Sequence, residues 1–390
     1  MNSRRNRRLV LLAALLVVLG LLVWRPNSVL GLLTRPFGIS LDVSGGDAAS
    51  VRVPDGFEVN IYASGLSGPR LMDVGPDGTL FVAERDGGRV VALPDKDGNG
   101  QADNSITVAD GLAKPNSVSV YSGTLIVGEQ GQISRFRLDE GYKSIERTVL
   151  VPDLPSEGFH SSKTAIIGSD GRLYVAMGSA CNVCDESDER RAAVSVYGLD
   201  GSGGEVFARG LRNAVGLDLN PWTGEVWASN NGRDLMGDEL PPETVYALSE
   251  GGDYGWPGCH AGDIPDPDFG KSGNACEGVE APVVEMQAHM APLGIAFYQG
   301  GNFPTPYNDS LYVALHGSWN SSSKVGYKVM QVPLKDGRVA GEAVDFATGF
   351  LGAEDAVTGR PAGVAVGKDG SLFISDDKAG FIYRVSWRGR

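Results

Sequence analysis

The sequence has few stretches in which apolar residues recur at the spacing of an amphipathic helix. It is rich instead in glycine, with 55 residues, and it contains 21 prolines. This composition is typical of many short strands joined by tight turns. Because 42% of the residues are hydrophobic, the chain can bury an extensive core, which excludes a disordered protein.

The chain is also poor in positive charge, with 34 Lys and Arg against 48 Asp and Glu and a net charge of −14. Five of the arginines lie in the first 25 residues, which contain no acid, so the remainder carries −19. Such a field repels nucleic acid and anionic lipid surfaces. A small anion would need a local cationic pocket.

The N-terminal segment is the part of the chain for which we predict membrane attachment. Four arginines precede an apolar run of 16 residues from Leu9 to Trp24. No small-x-small cleavage site follows directly, which favours an uncleaved signal-anchor over residues 1–25; a cleaved signal peptide is the alternative. A linker over 26–49 would then lead to a domain over 50–390 on the extracytoplasmic side of the inner membrane.

The four cysteines form two close pairs, Cys181/Cys184 and Cys259/Cys276. Asp185 follows the first pair, so the His of a c-type haem attachment site is missing, and the βαβ setting of a thioredoxin is missing too. In an exported protein an even number predicts disulfides, although a zinc site made by all four stays open. The second pair would close a loop insertion over about 251–288.

One sequence unit recurs six times: an apolar strand, a Gly/Asp turn and a second apolar strand. The copies are LMDVGPDGTLFVAE from Leu71, VSVYSGTLIVGE from Val118, TAIIGSDGRLYVAMG from Thr164, VGLDLNPWTGEVWAS from Val215, LGIAFYQGGNFPTPYNDSLYVAL from Leu293 and AGVAVGKDGSLFISDD from Ala362. Each is typical of a β-hairpin, and further strands follow most copies. A β-sandwich would need fewer and less similar hairpins. We therefore predict an all-β, six-bladed β-propeller.

Basic side chains recur just before the first strand of successive units, where a propeller would gather them at one mouth of its channel. The residues at or near this phase are Arg70, Lys114, His160, Lys163, Arg212 with Asn213, His289 and Arg360. In so acidic a chain this set predicts a cationic pocket for a small polyanion. Ordinary polar loops are the alternative for any single position.

Only four histidines occur, and His160 opens the third inner strand, so it should face the channel mouth. A neutral imidazole at that place could act as a general base. His289 and His316, both in the fifth unit, are equally well placed to line the mouth. The spacing of these three histidines follows no metal-ligand motif.

Two oxygen-rich segments suggest calcium. Asp95, Asp97, Asn99 and Asp103 alternate with small residues, as hard-cation loops require, although the bidentate Glu of an EF-hand is missing and a solvated turn is the alternative. The other segment is NNGRD from Asn230, followed by Asp238 and Glu239, directly after a strand.

Several stretches resemble the PQQ-dependent sugar dehydrogenases, in particular the L-sorbosone dehydrogenase-like branch. These are GFHSSKTAIIGSDGRLYVAMGS, ARGLRNAVGLDLNP, NNGRDLMGDE, GGDYGWP, HMAPLGIAFY, LHGSWN and GRPAGVAVGKDGSLFISDD. They extend over about residues 50–388 in the family's order. The resemblance implies a six-bladed propeller that oxidises a sugar or a related alcohol or aldehyde with PQQ and Ca²⁺.

The resemblance also implies roles for individual residues. His160 would take the proton of the sugar hydroxyl as hydride moves to C5 of the quinone, and Arg212 would lie beside the C5 oxygen. Asn213 and Arg360 match cofactor-binding positions. Because PQQ is a tricarboxylate, it would fit the cationic cluster, which also includes Lys163.

The implied metal sites lie in the fourth unit. The backbone carbonyls of Gly232 and Arg233 match those that hold the Ca²⁺ bound to PQQ. Asp238, Glu239 and Tyr254 lie where some members bind a second, structural calcium.

The sequence departs from the soluble glucose-oxidising members at three positions. Val215 stands where they carry a Gln, Ala362 where they carry an Arg, and His316 near a Lys that contacts PQQ. We therefore expect that the substrate is bound differently from glucose. The external electron acceptor would be a quinone or a cytochrome. A calcium-dependent propeller lactonase or esterase and a non-catalytic binding propeller are the alternatives.

Overall fold

The computed structural model describes residues 51–389, and the predicted N-terminal helix and the whole of the predicted linker lie outside this range. Within the range, regular structure is almost entirely β-strand, with a short 3₁₀ turn at Ala353–Asp355. No helix of this described part has the length and apolar character needed to cross a membrane.

Six antiparallel sheets follow one another along the chain, each starting with one of the six sequence repeats, so the predicted all-β, six-bladed propeller is confirmed. Blade 1 contains β2 (Pro69–Val74), β3 (Leu80–Glu84), β4 (Arg89–Leu93) and β5 (Ile106–Ala109); blade 2 contains β6 (Ser117–Tyr121), β7 (Thr124–Glu129), β8 (Gln132–Leu138) and β9 (Ser144–Val151); blade 3 contains β10 (Lys163–Ile167), β11 (Leu173–Met177), β12 (Ala193–Tyr197) and β13 (Glu205–Arg209).

The later blades carry the longer insertions. Blade 4 contains β14 (Ala214–Leu219), β15 (Val226–Asn230), β16 (Glu243–Ala247) and β20 (Val284–Met286); blade 5 contains β21 (Pro292–Tyr298), β22 (Ser310–Leu315), β23 (Lys328–Lys335), β24 (Arg338–Val339) and β25 (Val344–Ala347); blade 6 contains β26 (Pro361–Val366), β27 (Leu372–Asp376), β28 (Phe381–Trp387) and β1 (Phe57–Ala63). The insertion after β16 adds β17 (Gly252–Asp253) parallel to β13 and a separate hairpin of β18 (Cys259–His260) with β19 (Ile264–Pro265).

The ring closes because β1, from the start of the propeller, is the outer strand of the last blade. It pairs antiparallel with β28 from Phe57 opposite Trp387 to Ala63 opposite Ile382. The ring of Phe57 packs edge-on against Phe303, at 4.7 Å between centroids. This strand exchange removes the free edge that blade 6 would otherwise expose.

The six inner strands run in the same direction around a central channel, whose cavity measures about 280 Å³. Two carboxylates, Asp73 of blade 1 and Asp218 of blade 4, lie toward the channel end that is remote from the strand starts. Asp73 accepts a hydrogen bond from the Val120 amide at 2.6 Å, and Asp218 accepts one from the Phe297 amide at 2.8 Å. Loss of hydration raises the pKa of Asp73 to about 6 and that of Asp218 to about 7.

The raised pKa of Asp218 predicts a pH-dependent stability difference in the variant Asp218→Asn. The native carboxyl keeps a proton that the unfolded chain loses above about pH 4, so wild-type stability falls between about pH 4 and pH 7 and levels off above that. Whatever pH-independent cost the substitution has, the difference in unfolding free energy should shift in favour of the variant between pH 4 and 8, by roughly 4 kcal/mol. Urea unfolding of both proteins across that range measures it; parallel curves would contradict it.

Candidate active site

One end of the channel, which we call the mouth, collects side chains from five of the six blades. The inner strand of each blade begins at this end and the second strand ends at it. Residues just before an inner strand and residues just after a second strand therefore lie at the same end of the channel. Asn213 and Arg360 precede β14 and β26, whereas Arg85, His316 and Asp377 follow β3, β22 and β27. The repeat places these residues together although the chain separates them by hundreds of positions.

His160 lies in the loop before β10, and its Nδ1 is 3.0 Å from the Ser179 carbonyl oxygen and 2.9 Å from the Ser179 hydroxyl. Because a carbonyl can only accept, Nδ1 carries the hydrogen, and Nε2 keeps its lone pair. Within residues 51–389 no hydrogen bond engages Nε2. Burial, and then the nearby charge of Arg212, lower the pKa of His160 to about 3, so the ring is a neutral proton acceptor.

Blade 3 has Gly178 directly after its second strand, where other blades carry a side chain. A Cβ at this position would lie 2.5 Å from the Cβ of His160 and 2.4 Å from Oδ1 of Asn213. Glycine is therefore required there because both site residues pack directly on its backbone.

Arg212 is almost fully buried, at 3% exposure, and its guanidinium group is held by four residues. Nε donates to the Asn182 carbonyl at 3.0 Å, while Nη2 donates to Oδ1 of Asn182 at 2.9 Å and to Asp234 at 2.6 Å. Nη1 donates to the carbonyls of Gly232, at 2.5 Å, and Asn231, at 3.4 Å. The side chain is thus fixed in place beside His160.

His316 takes part in a second polar network. Its Nε2 is 2.9 Å from Asp377, and its Nδ1 is 3.1 Å from Nη1 of Arg360, so the imidazole donates to the carboxylate and accepts from the guanidinium. Burial lowers the pKa of His316. For Asp377, burial raises the pKa, but the His316 hydrogen bond and the Arg70 charge outweigh it and lower the pKa to about 2. Both ring nitrogens of His316 are engaged, unlike those of His160.

Four cations at or near the mouth form no ion pair with a carboxylate within the described residues: Arg85, Lys163, Arg191 and Arg360. Lys163 is completely buried, and its ammonium group donates to the Ser161 carbonyl at 3.0 Å. Burial and the charges of Arg191 and Arg190 lower its pKa to about 7. Nε of Arg85 is buried without a hydrogen-bond partner. Unpaired cations at one end of an acidic protein are the donor set that a tricarboxylate such as PQQ requires.

Several of the residues predicted to bind calcium have partners within the protein, and their calcium binding stays a prediction. The Gly232 carbonyl accepts from Arg212, and the Arg233 side chain pairs with Asp266 and Asp268. Oδ1 of Asp238 accepts from the Ser322 amide at 3.0 Å, whereas Glu239 is exposed.

The side chain of Tyr254 has partners of its own. Its buried hydroxyl donates to the Ala247 carbonyl at 3.0 Å and accepts from the Ser249 amide at 2.9 Å, so the structure gives it a structural position between blades 3 and 4. A structural calcium at Asp238, Glu239 and Tyr254 therefore stays a prediction.

The other predicted calcium loop lies at the opposite end of blade 1. Carboxylate oxygens of Asp95, Asp97 and Asp103 lie within 4.8 Å of one another, and Asn99 donates to Asp97 at 2.9 Å. Calcium binding there stays a prediction, and it has no connection with the mouth.

Both predicted disulfides, Cys181–Cys184 and Cys259–Cys276, are present, and they exclude the alternative of a four-cysteine zinc site. Lys114 and His289, also predicted at the mouth, are not part of either polar network. Lys114 is exposed, and Nε2 of His289 contacts the Gly237 carbonyl at 2.7 Å. His289 has a φ of +69°, a local backbone turn that the repeat alignment could not reveal.

Three strongly exposed apolar side chains surround the mouth. Phe159 is 73% exposed and its ring centroid lies 6.3 Å from that of His160; Leu235, also 73% exposed, follows Asp234; Trp319, 72% exposed, precedes Asn320, whose amide donates to Asp234 at 3.0 Å. We call Phe159, Leu235 and Trp319 the apolar rim. Exposed apolar groups around a polar pocket are typical of a ligand-binding site.

The family follows from the sequence as a whole. The TrAA12-like family model matches residues 51–261 and 263–388, which is nearly all of the described chain. The chain belongs to the TrAA12-like family.

Relatives of this TrAA12-like protein extend over most of its length. An uncharacterized protein of Borreliella burgdorferi is 30% identical, with 92% of this chain and 97% of the relative covered. The pyrroloquinoline quinone-dependent sugar dehydrogenase of Hypocrea jecorina is 25% identical, with 84% and 87% covered. The PQQ domain of pyranose dehydrogenase from Coprinopsis cinerea, solved in its holo form, has the same fold, with a TM-score of 0.76 at 24% identity and coverage of 86% and 97%.

These comparisons confirm the resemblance to PQQ-dependent sugar dehydrogenases. They do not specify the sorbosone branch, which stays a prediction. In the TrAA12-like chain, the departures Val215 and Ala362 pack with Leu293 into a buried apolar cluster between blades 4, 5 and 6. The two positions that carry polar side chains in the glucose-oxidising members are thus part of the core here.

The His160 geometry predicts a ring that stays neutral over the physiological range in the cofactor-free protein. A pKa of about 3 means that the native ring gains its proton only well below the pH at which a free imidazole does. ¹⁵N NMR of the imidazole nitrogens should show the Nδ1–H tautomer unchanged from pH 8 to pH 5. A titration midpoint near 6.5 would contradict the geometry.

Proposed function

We propose that this protein is a PQQ-dependent dehydrogenase that oxidises a sugar, with His160 as the general base. The observation that carries the proposal is the free lone pair of His160 Nε2 at a mouth lined by unpaired cations. The Hypocrea jecorina relative, a PQQ-dependent sugar dehydrogenase, supports the same chemistry. Because a lactonase would have little use for basic residues, these cations disfavour that alternative.

PQQ, when bound, supplies the two-electron oxidant that accepts hydride from the substrate. The residues that would hold it are Lys163, Arg360, Arg85 and Asn213, which offer charge and hydrogen bonds to carboxylates. Arg212 would act through its charge on negative charge that develops close to His160, because its five N–H groups already donate to Asn182, Asn231, Gly232 and Asp234. Its fixed position means that no reorganisation is needed during the reaction.

His160 would remove the hydroxyl proton of the sugar. Its Nε2 accepts the proton, and its Nδ1–H remains bonded to Ser179, so the resulting imidazolium keeps the same orientation. The low pKa makes His160 a weak base in the cofactor-free state. Carboxylates bound to the neighbouring cations would raise it by adding negative charge, which connects cofactor binding with activation of the base.

The apolar rim would contact the sugar ring itself. A substrate whose hydroxyl lies at Nε2 of His160 comes within contact distance of Phe159, whose ring centroid is only 6.3 Å from the imidazole. The C–H face of a sugar packs well on an exposed aromatic ring, whereas its hydroxyl groups need the polar pocket.

Calcium is the second cofactor that we propose. The support is that the carbonyls of Gly232 and Asn231 each accept a hydrogen bond from Arg212 and keep a second lone pair that a cation could use. Carbonyl oxygens are suitable ligands for this hard cation. Glu243 adds a carboxylate that accepts from the Gly232 amide at 2.7 Å, and burial raises its pKa to about 7.

We also propose that the protein functions on the extracytoplasmic side of the inner membrane, attached through a signal-anchor within residues 1–25, and that it delivers electrons to a quinone or a cytochrome. The two disulfides support an oxidising compartment.

Reconstitution with PQQ and Ca²⁺ tests the function. The loaded protein should reduce a redox dye in the presence of aldoses, and His160→Ala should lower kcat by about 10³-fold while PQQ still binds, because the base acts on the substrate proton. His289→Ala serves as the matched control and should retain activity. Failure of the Ca²⁺-loaded wild type to bind PQQ in an absorbance titration would reject the proposal, and a chelator distinguishes the calcium requirement.

Substitution of Phe159 tests the contact with the sugar. Phe159→Ala should raise KM about 5- to 20-fold with kcat nearly unchanged, since it removes roughly 1–2 kcal/mol of ring contact that ground state and transition state share. Phe159→Tyr should retain the wild-type KM. The exposed Ile145, in the outer strand β9, provides the control Ile145→Ala. Equal KM values for wild type and Phe159→Ala would show that the sugar lies elsewhere.

A further inference from the structure

A disulfide-closed turn joins the two residues that the proposed function assigns to the chemistry. Cys181 and Cys184 are bonded directly after β11, at the mouth. Ser179, just before this turn, contacts Nδ1 of His160 and donates its own hydroxyl hydrogen to the Cys181 carbonyl at 2.6 Å. The orientation of the His160 ring therefore depends on the conformation of the turn.

Asn182, inside the turn, connects it to Arg212. Its carbonyl oxygen accepts from Nε of Arg212 at 3.0 Å, and its Oδ1 accepts from Nη2 at 2.9 Å. The same side chain pairs reciprocally with the backbone of Asp234: Oδ1 accepts from the Asp234 amide at 2.8 Å, and Nδ2 donates to the Asp234 carbonyl at 3.0 Å. Both ends of the Asn182 amide are thus used to hold the loops of blades 3 and 4 together around Arg212.

We propose that Asn182 is a positioning residue, held by the Cys181–Cys184 disulfide, that fixes the Arg212 guanidinium relative to His160. The proposal rests on the proposed function only in that both residues act on one substrate. An arginine side chain has many rotamers, and a group that stabilises developing charge must be held close to its working geometry. Asn182 meets this need because it binds Arg212 through both its backbone and its side chain.

The short span of the disulfide favours this local role. Cys181 and Cys184 are three positions apart, whereas Cys259 and Cys276 are 17 apart. Closing a short loop removes little conformational freedom from the unfolded chain, so the first disulfide contributes less to global stability than a long-range one. Its main effect is on the shape of the turn that carries Asn182.

The test uses Asn182→Ala in the cofactor-free protein and in the PQQ-loaded protein. The substitution removes the Oδ1 contact with Arg212 and both side-chain bonds to Asp234, so the guanidinium should shift away from its place beside His160. Because the Arg212 charge contributes to the low pKa of His160, this shift should move the His160 titration upward, by on the order of 1 unit. In the loaded enzyme kcat should fall on the order of 10-fold, with KM for the sugar changed less than about twofold. Asn302→Ala is the matched control, since its amide also joins two blades, at the Asp369 carbonyl, but at the opposite end of the channel.

A second variant, Cys181→Ser/Cys184→Ser, opens the turn and keeps Asn182, and it should shift the His160 titration in the same direction. It also preserves the test if Asn182→Ala does not fold. A folded Asn182→Ala protein whose His160 titration equals that of wild type overturns the proposal. If the wild type neither binds PQQ nor oxidises sugars, the proposed function fails, while the titration still decides whether Asn182 positions Arg212.

Discussion

The pairing of β1 with β28 is the constraint on which the mouth depends. The site draws on residues from Arg70 in blade 1 to Asp377 in blade 6, and the salt bridge between these two, at 2.7 Å, forms across the closing seam of the ring. Asp377 in turn contacts His316, which accepts from Arg360. Without the exchanged outer strand, blades 6 and 1 would lose the packing that keeps this network together, and the cationic pocket would open on one side.

The unpaired cations of the mouth destabilise the folded protein, so the packing of the blades has to stabilise it. Buried cations without counter-charges, such as Lys163, oppose folding in the absence of an anion, because each has lost hydration that no carboxylate replaces. The surrounding blades must therefore supply the stabilisation that the site lacks. Binding of an anionic cofactor would reverse this cost and add to the stability of the folded state by mass action.

The features that repeat along the chain are the ones that could be predicted from its sequence. Six hairpins, three of them with Asp-Gly turns, determine the number of blades. The phase before each inner strand identifies His160, Arg212, Asn213 and Arg360 as neighbours of the channel. For Lys114 the phase argument stays a prediction, because an exposed side chain in this loop can point toward the mouth or away from it.

The residues that the sequence could not reveal act through contacts between blades. Asn182 and Asp234 are 52 positions apart, and nothing in either segment indicates that they bind one guanidinium group. Ser179 orients the His160 ring, which lies in another loop, and this contact depends on which ring nitrogen carries the hydrogen. The short spacing of Cys181 and Cys184 predicts a disulfide close to the mouth. The spacing does not indicate which residues that disulfide positions.

The buried cluster of Val215, Leu293 and Ala362 and the apolar rim together suggest how substrate choice differs from that of the glucose-oxidising members. Where polar side chains are expected from the resemblance, this chain has apolar packing below the mouth, and the exposed apolar groups lie above it. Hydrogen bonds to a polar substrate group can discriminate by several orders of magnitude, whereas apolar contacts discriminate weakly. A site of this kind would hold its cofactor by charge and select its sugar mainly by shape, which favours a range of related substrates over a single one.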